Sequence, residues 1–550
     1  MDLTAFARGV RSALSSSTAR AEDESEEAKA PARVGMVVDM SDANFIGGFI
    51  PVLLEKQRHP YSRPEFLYFN EEEVAISADK QIRPVICPKL PERMPLLAGY
   101  AEVINAGKTE HNEDMATARI IRIVQQGYEA EEAKELDGAK NGKNSRSGMT
   151  RCNSDDDPLT SSERESVEGD STSSAPRGEA AFFGIFDGHA GYGAALMASR
   201  CLHEHIKSRL SEVIESVIHL DRQENYIGMR PRSQSGYSMN RGAVDSSSGE
   251  KSITSESLVI GALESAFVDM DEQIAEEKQV FKIPGGCAAI TVLVMLGKLF
   301  VANAGDCRAL LVTSEMVKQM SSDFTPATER KRLQHLAYRQ PELIGSCFSR
   351  LEYCRHLTKK DLNKKTFYRD WFMDGWAVKT VRDTDLRPPL ISDRLKKKRL
   401  LNTIGVSRGF GDHHLLTLDD KIAIKPFLTP VPEVRVFDIR SLSSLTDRDV
   451  LIVASDGLWD AISNEDAALI VRSALSAYDT SDLSRYTMAA QELLICARGT
   501  ATESHRWILN CGGLASTDDI TAFIIPLKYA LAPPGGEEDE DDDDSMINLD

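Results

Sequence analysis

Apolar positions fall into blocks separated by long polar stretches. Ala181–Phe186 is a short unbroken apolar run, the pattern of a buried strand. Gly191–Leu220 carries Leu196, Ile206, Leu210, Val213 and Val217 at helical spacing, and Leu258–Ile274 carries Leu263, Phe267, Met270 and Ile274. Ala289–Leu296 and Leu299–Asn303 are β-rich runs joined by Gly297-Lys298, which predicts a hairpin with a type II′ turn. Asp449–Ala454 and Ile520–Ile525 read as further strands. Ser463–Leu475 reads as a helix opened by a capping box of Ser463 and Asp466. Helix pairs and hairpins occur without regular strand–helix alternation. The pattern therefore predicts an α+β fold, antiparallel sheet with helices layered outside it.

The polar stretches set the organisation. Residues 136–178 and 221–255 almost lack large apolar groups, cannot offset their ordering entropy, and read as disordered insertions. Residues 1–33 read as an N-terminal segment and linker, 34–532 as one domain with insertions, and 533–550 as an acidic, solvated tail. Residues 1–14 place Leu3, Phe6, Val10 and Leu14 at helical spacing with Arg8 and Arg11 between them. Three readings stay open for them: a helix lying on an anionic membrane surface, the start of a transit peptide, or a terminus that frays or docks on the domain.

Charge narrows the classes. The 550 residues carry 65 Lys and Arg against 85 Asp and Glu, a net −20. A nucleic-acid-coating protein would usually be basic, so no nucleic-acid partner is expected. No window approaches the ~18–20 unbroken apolar residues of a membrane span. The nine cysteines are odd in number and scattered, without a Cys-x-x-Cys pair, so neither a zinc site nor a disulfide framework is expected. A reducing, cytoplasmic location fits this usage and the lack of a secretory apolar region. Lys396-Lys397-Lys398-Arg399 leaves a nuclear location open.

Acids recur where apolar runs end or begin. Asp187 follows Phe186 and precedes Gly188-His189, Asp306 follows Ala304-Gly305, Asp456 sits between Ser455 and Gly457, and Asp518-Asp519 precede Ile520. Glu113-Asp114 follow the run Ala101–Ala106 after a short loop. One Asp before Gly is ordinary turn chemistry. Several at the ends of strands of one sheet could converge, and converged carboxylates raise one another's pKa unless cations neutralise them. Hard oxygen ligands without His or Cys favour Mg²⁺ or Mn²⁺ over Zn²⁺. Such a cluster could hold two ions ~3.5–4 Å apart with a bridging water.

Taken in order, Asn112-Glu113-Asp114, Phe186-Asp187-Gly188-His189, Gly305-Asp306-Cys307-Arg308, Val406-Ser407-Arg408-Gly409-Phe410-Gly411-Asp412, Ser455-Asp456-Gly457-Leu458-Trp459-Asp460 and Asp518-Asp519-Ile520-Thr521 resemble the motifs of the metal-dependent (type 2C) protein phosphatases. Tyr100–Lys108, Ile424–Leu428 and residues 59–98 resemble the subgroup of that family containing protein phosphatases 1H, 1J and 1M. The resemblance implies two antiparallel sheets packed as a sandwich with helices outside. It implies hydrolysis of phosphoserine and phosphothreonine in phosphoproteins by a metal-bound water. Asp187 would bridge two metals, the Gly188 carbonyl would help hold one, and Asp456 and Asp518 would complete the core. Glu113 and Asp114 would bind a metal or orient its waters, Asp306 would serve a weaker third ion, and His189 would protonate the leaving alkoxide.

The match has departures. Thr109 stands where most of the family has a phosphate-clamping arginine; the neighbouring Lys108 would be the substitute phosphate ligand by position, with a solvated lysine as the alternative reading. Asp518-Asp519 replaces the usual Asp-Asn, keeping the first ligand and adding a charge, and Cys307 replaces a serine, a change of little expected consequence beyond the oxidation sensitivity a nearby thiol can add.

Residues 329–400 carry 19 Lys and Arg against nine Asp and Glu, with Tyr353, Tyr368, Trp371 and Trp376 among them. They correspond to the family's flap beside the active site and suit attraction of a phosphoprotein surface, as they also suit a solvated, salt-bridged insert. Within the subgroup the resemblance implies phosphorylated Rab-type GTPases as a substrate class. Two competing readings are an inactive phosphatase-fold scaffold and an adaptor recruited to membranes through residues 1–14.

Overall fold

The computed structural model describes residues 56–125, 177–228, 253–392, 397–503 and 506–531. The segments 1–33 and 533–550, most of 136–178 and the middle of 221–255 lie outside the described residues, so the readings made for them are not addressed by it.

Two antiparallel sheets carry the fold. The first orders its strands Glu433–Asp438, Lys298–Ala304, Gly286–Met295, Arg177–His189 and Met115–Val124, with Phe410–Gly411 added beside Gly286-Cys287. The second orders Gly99–Val103, Ile520–Pro526, Val450–Ala454, Arg308–Val312 and Val317–Gln319. Side chains alternate between the faces of each strand. Leu451, Val453, Phe523 and Ile525 point into the space between the sheets, where they meet Phe183, Ile185, Ile290 and Val301. Val450, Ile452, Ala454, Ile520 and Ile524 point the other way, onto the helices Asn464–Ala477 and Arg485–Arg498. Phe182 and Phe186 likewise pack on the helices Gly193–Gly228 and Ser255–Glu277. Both faces are covered, which is why these strands read as continuous apolar runs instead of alternating ones. The result is four layers, helices–sheet–sheet–helices. At the centre Phe523 contacts Tyr100 and Phe183 at ring-centroid distances of 4.9 and 5.5 Å; truncating such a buried ring costs about 3–5 kcal/mol.

The elements predicted within the described residues are all present, most of them longer than their apolar runs. The strand predicted at 181–186 spans Arg177–His189, so residues 177 and 178 of the expected insertion pair with Val124 and Ile123. The helix predicted to end at Leu220 continues to Gly228, and the next begins at Ser255. Its extension is anchored by charge: the buried Lys298 ammonium lies 3.7 Å from Asp221 and 2.9 Å from Glu256. The hairpin turn is Leu296-Gly297, both with positive φ, because Met295 pairs with Lys298. Two left-handed residues make it type I′, not the expected II′. Ser463 caps its helix by accepting from the Asp466 backbone N–H, but the Asp466 carboxylate accepts from the Ser463 hydroxyl and not from its backbone, so only half of the capping box forms.

The segment 329–400 is ordered over most of its length. It holds the helix Arg330–Arg339 and a small antiparallel sheet of Ala377–Thr380, Lys365–Arg369 and Glu352–Tyr353. Its own apolar cluster joins Leu333, Phe348, Leu390 and Leu400 to Ile424 and Phe427 beyond it. Its acids are largely spent internally: Asp370 with Arg350, Asp361 with Arg355, Asp385 with Lys379, Asp374 with Lys331, and Glu352 with Arg369. At its base Glu329 accepts from Arg408 at 2.7 Å and from Ser407 at 3.0 Å, tying the flap to the strand leading to Asp412.

Among the described residues no helix is long and apolar enough to cross a membrane.

Candidate active site

The acids gather at one end of the sandwich. Asp187 leaves the strand Arg177–His189, Asp306 lies in the turn after Lys298–Ala304, and Asp456 opens a short helix directly after Val450–Ala454. Carboxylate oxygens of these three lie within 4.8 Å of one another. The Asp456 backbone N–H donates to Asp187 Oδ2 at 3.3 Å, which joins the two sheets at the cluster.

Two glycines allow this convergence. A Cβ on Gly188 would lie 2.4 Å from the Glu113 carbonyl oxygen, and one on Gly457 would lie 1.9 Å from that of Asp519. The close approach they permit is thus by the other acidic loops, which brings Glu113-Asp114 and Asp518-Asp519 against the cluster. Glu113 Oε1 accepts from the Gly191 N–H at 2.7 Å, and buried Asp114 accepts from the Ser455 hydroxyl at 2.7 Å. Asp518 is partly exposed and accepts from Lys108 Nζ at 2.8 Å.

Electrostatics mark the cluster as a cation site. Burial, then the charges of Asp114, Asp456, Asp306 and Asp518, pushes the Asp187 carboxyl well above the ordinary range. Burial and the Asp456 charge do the same to Asp306. Burial raises Asp456 too, opposed by Lys397, whose ammonium lies 2.9 Å from Asp456 and 2.6 Å from Asp460. Buried carboxylates of one sign stay ionised together only beside positive charge. Their donors are hard oxygens and the cluster contains no thiolate or imidazole, so the residues fit hard divalent cations.

His189 stands at the rim, about one-third exposed, with Nε2 2.6 Å from Asp412 Oδ2. Every predicted site residue therefore lies in or beside one site. Asp187, Asp306 and Asp456 form the cluster, Glu113, Asp114 and Asp518 approach it on adjoining loops, His189 is on its edge, and Lys108 reaches it through Asp518.

Sequence reasoning missed four contributors. Asp412 was inside a quoted motif but had no role until its carboxylate met His189. Lys397, in the basic run, reaches Asp456 only because the flap folds back. Arg63 and Arg83 lie in the segment preceding the first strand, where nothing in spacing signals a buried charge. The extra acid Asp519 also has a definite place: it accepts from the backbone N–H groups of Asn105 and Glu113 at 2.8 and 3.2 Å. Burial raises its pKa to about 7. Cys307, from which little consequence was expected, is fully buried, and burial pushes its thiol well up, away from the reactive thiolate that oxidation would need.

A sandwich of antiparallel sheets with helices on both outer faces thus carries, at one end, a carboxylate cluster that fits hard divalent cations, the arrangement that the resemblance to the metal-dependent phosphatases implied. Residues 228–370 and 388–505 match the family described as Protein phosphatase 2C. The chain is 42% identical to protein phosphatase 1H of Homo sapiens over 86% of this chain and 91% of that protein. It is 41% identical to protein phosphatase 1H of Danio rerio over 87% and 93%, and 40% identical to protein phosphatase 1J of Homo sapiens over 88% of each. The chain belongs to the protein phosphatase 2C family and is a serine/threonine protein phosphatase.

Proposed function

We propose that this phosphatase removes phosphate from phosphoserine and phosphothreonine with Mg²⁺ or Mn²⁺ held by Asp187, Asp306, Asp456 and Asp518, with the Gly188 carbonyl, Glu113 and Asp114 completing the set. The single observation that carries the reading is the convergence of three half-buried carboxylates within 4.8 Å. Bound divalent ions supply Lewis-acid activation of water and neutralise phosphate charge. Asp187, beside both Asp306 and Asp456, would hold the core ions, and Asp306 would serve a weaker third ion. His189 delivers a proton to the departing seryl or threonyl oxygen, since an alkoxide is a poor leaving group. Lys108, on the open side of Asp518, contacts the substrate phosphate as a point charge.

The substrates in this reading include phosphorylated Rab-type GTPases, met by the flap, whose excess of basic residues suits an acidic phosphosite. The enzyme works in the cytoplasm, with residues 1–14 as a peripheral membrane contact. The test is phosphate release from a phosphoprotein panel that includes Rab GTPases, in Mn²⁺ or EDTA, for wild type and Asp187→Ala. Metal-dependent release, lost in the variant, supports the chemistry, and the ranking of substrates supports or removes the Rab assignment. A folded protein inactive on every substrate in excess metal would sink the reading.

A further inference from the structure

Two arginines that precede the first strand of the sandwich are buried against the acidic loops. Arg63 forms a two-pronged ion pair with Glu102, 2.7 Å on each side, and Tyr100 donates its hydroxyl to the same carboxylate. Its remaining nitrogen, Nη1, turns to the neighbouring loop and donates to the carbonyls of Asn112 at 3.3 Å and Asp114 at 2.9 Å. The Tyr61 hydroxyl donates to the Asn112 carbonyl as well. Arg63 thus grips the main chain on both sides of Glu113.

Arg83 does the same for the second loop. It is fully buried, and its guanidinium donates to the carbonyls of Ile104 at 2.6 Å, Ser516 at 2.8 Å and Asp518 at 2.9 Å. It is packed 5.0 Å from the Trp507 ring, and Arg498 of the helix Arg485–Arg498 holds its own carbonyl at 2.8 Å. A buried guanidinium whose hydrogen bonds end on neutral carbonyls is expensive to desolvate, so its retention calls for a reason beyond packing. Asp519 lies between the two grips, bonded to Asn105 and to Glu113. Burial lowers the Arg83 pKa to about 10, a trend the Asp519 charge opposes.

From these contacts we infer that Arg63 and Arg83 are positioning residues for the metal centre. Through main-chain carbonyls they set where Glu113, Asp114 and Asp518 present their carboxylates, so part of this enzyme's metal affinity resides in residues 61–83. The inference rests on the metal-centre reading above. Groups behind metal ligands alter affinity about 10–100-fold when removed, because they fix the orientation in which the ligand is offered. Lysine in place of Arg83 would keep the charge but could not span three carbonyls.

The test measures Mn²⁺ binding by calorimetry on the full chain, with unfolding followed separately in EDTA. The proteins are wild type, Arg83→Met, Arg83→Lys and Arg63→Lys. The expected result is a folded metal-free protein whose Mn²⁺ affinity falls by about tenfold or more in Arg83→Met and less in the lysine variants. Saturating Mn²⁺ then restores kcat, a split that a general loss of fold would not produce. Folded variants that bind Mn²⁺ as wild type does would overturn the inference. Failure of all three variants to fold in EDTA would also overturn it, by assigning the arginines to the fold alone. Wild type that binds no Mn²⁺ would instead remove the metal-centre reading, and this inference with it.

Discussion

His189 Nε2 lies 2.6 Å from Asp412 Oδ2, and the chain is bent to make that contact. Asp412 has φ of 54°, and the N–H of Gly411 before it is held by Asp271 at 2.9 Å. The carboxylate holds the imidazole through one nitrogen; in the proposed reading the other serves the substrate.

A proton donor matters most when the leaving group is poor. His189→Ala and Asp412→Asn should each lower kcat on a phosphoserine peptide by about 10²-fold, the lower end of the usual range for acid–base catalysis. Hydrolysis of an aryl phosphate, whose leaving group needs little protonation, should fall far less. Steady-state kinetics on both substrates across pH checks this; equal losses on the two would remove His189 as the acid.

Gly457 faces the Asp519 carbonyl so closely that a methyl group would lie 1.9 Å from it. Gly457→Ala must push the Asp518-Asp519 loop away from Asp456. Overpacking of this kind costs about 1–3 kcal/mol, and the displaced loop should weaken metal activation as well. Urea unfolding and a Mn²⁺ activation curve measure the two effects, and a variant indistinguishable from wild type in both would show that the loops separate freely.

Lys397 stands where a cation would bind Asp456, yet its side chain is 58% exposed. An exposed pair contributes at most ~1 kcal/mol. Lys397→Ala should therefore lower the Mn²⁺ concentration for half activation by no more than about fivefold. A rise in that concentration would mean that the lysine assists the centre instead of competing for it.

Burial would raise the Asp271 carboxyl, but bonds from His413 and Lys425 outweigh it and hold its pKa below the ordinary 3.8. A depressed acid contributes stability above its unfolded value and loses it as pH falls through its folded value. Asp271→Asn should thus be less stable than wild type by about 3 kcal/mol at neutral pH, the cost of breaking a buried pair. Urea unfolding from pH 7 downward should show that gap closing only below about pH 4. A gap that stays unchanged down to about pH 2 would remove Asp271 as the source of the linkage.

Residue pattern alone carried the local structure and the chemistry. The runs at Ala181–Phe186 and Val450–Ala454, free of polar residues, and Ile520–Ile525, interrupted by Thr521 alone, read as buried strands because their apolar character is continuous and not alternating. The acids at their ends were legible as a cation site because several carboxylates in one small-residue context share a chemistry that needs no coordinates. Element ends were less legible: Arg177-Gly178 and most of residues 221–228 are polar or small, and their strand and helix are decided by partners distant in sequence, Val124 and Lys298 among them. Only the tertiary structure could pair His189 with Asp412, 223 residues away, or bring Lys397 onto Asp456. Only it could bury Arg63 and Arg83 against carbonyls, since a main-chain acceptor leaves no mark in the sequence. Side-chain type and order determined which acids can hold a metal; the meeting of two sheets decided where, and which groups hold those acids in place.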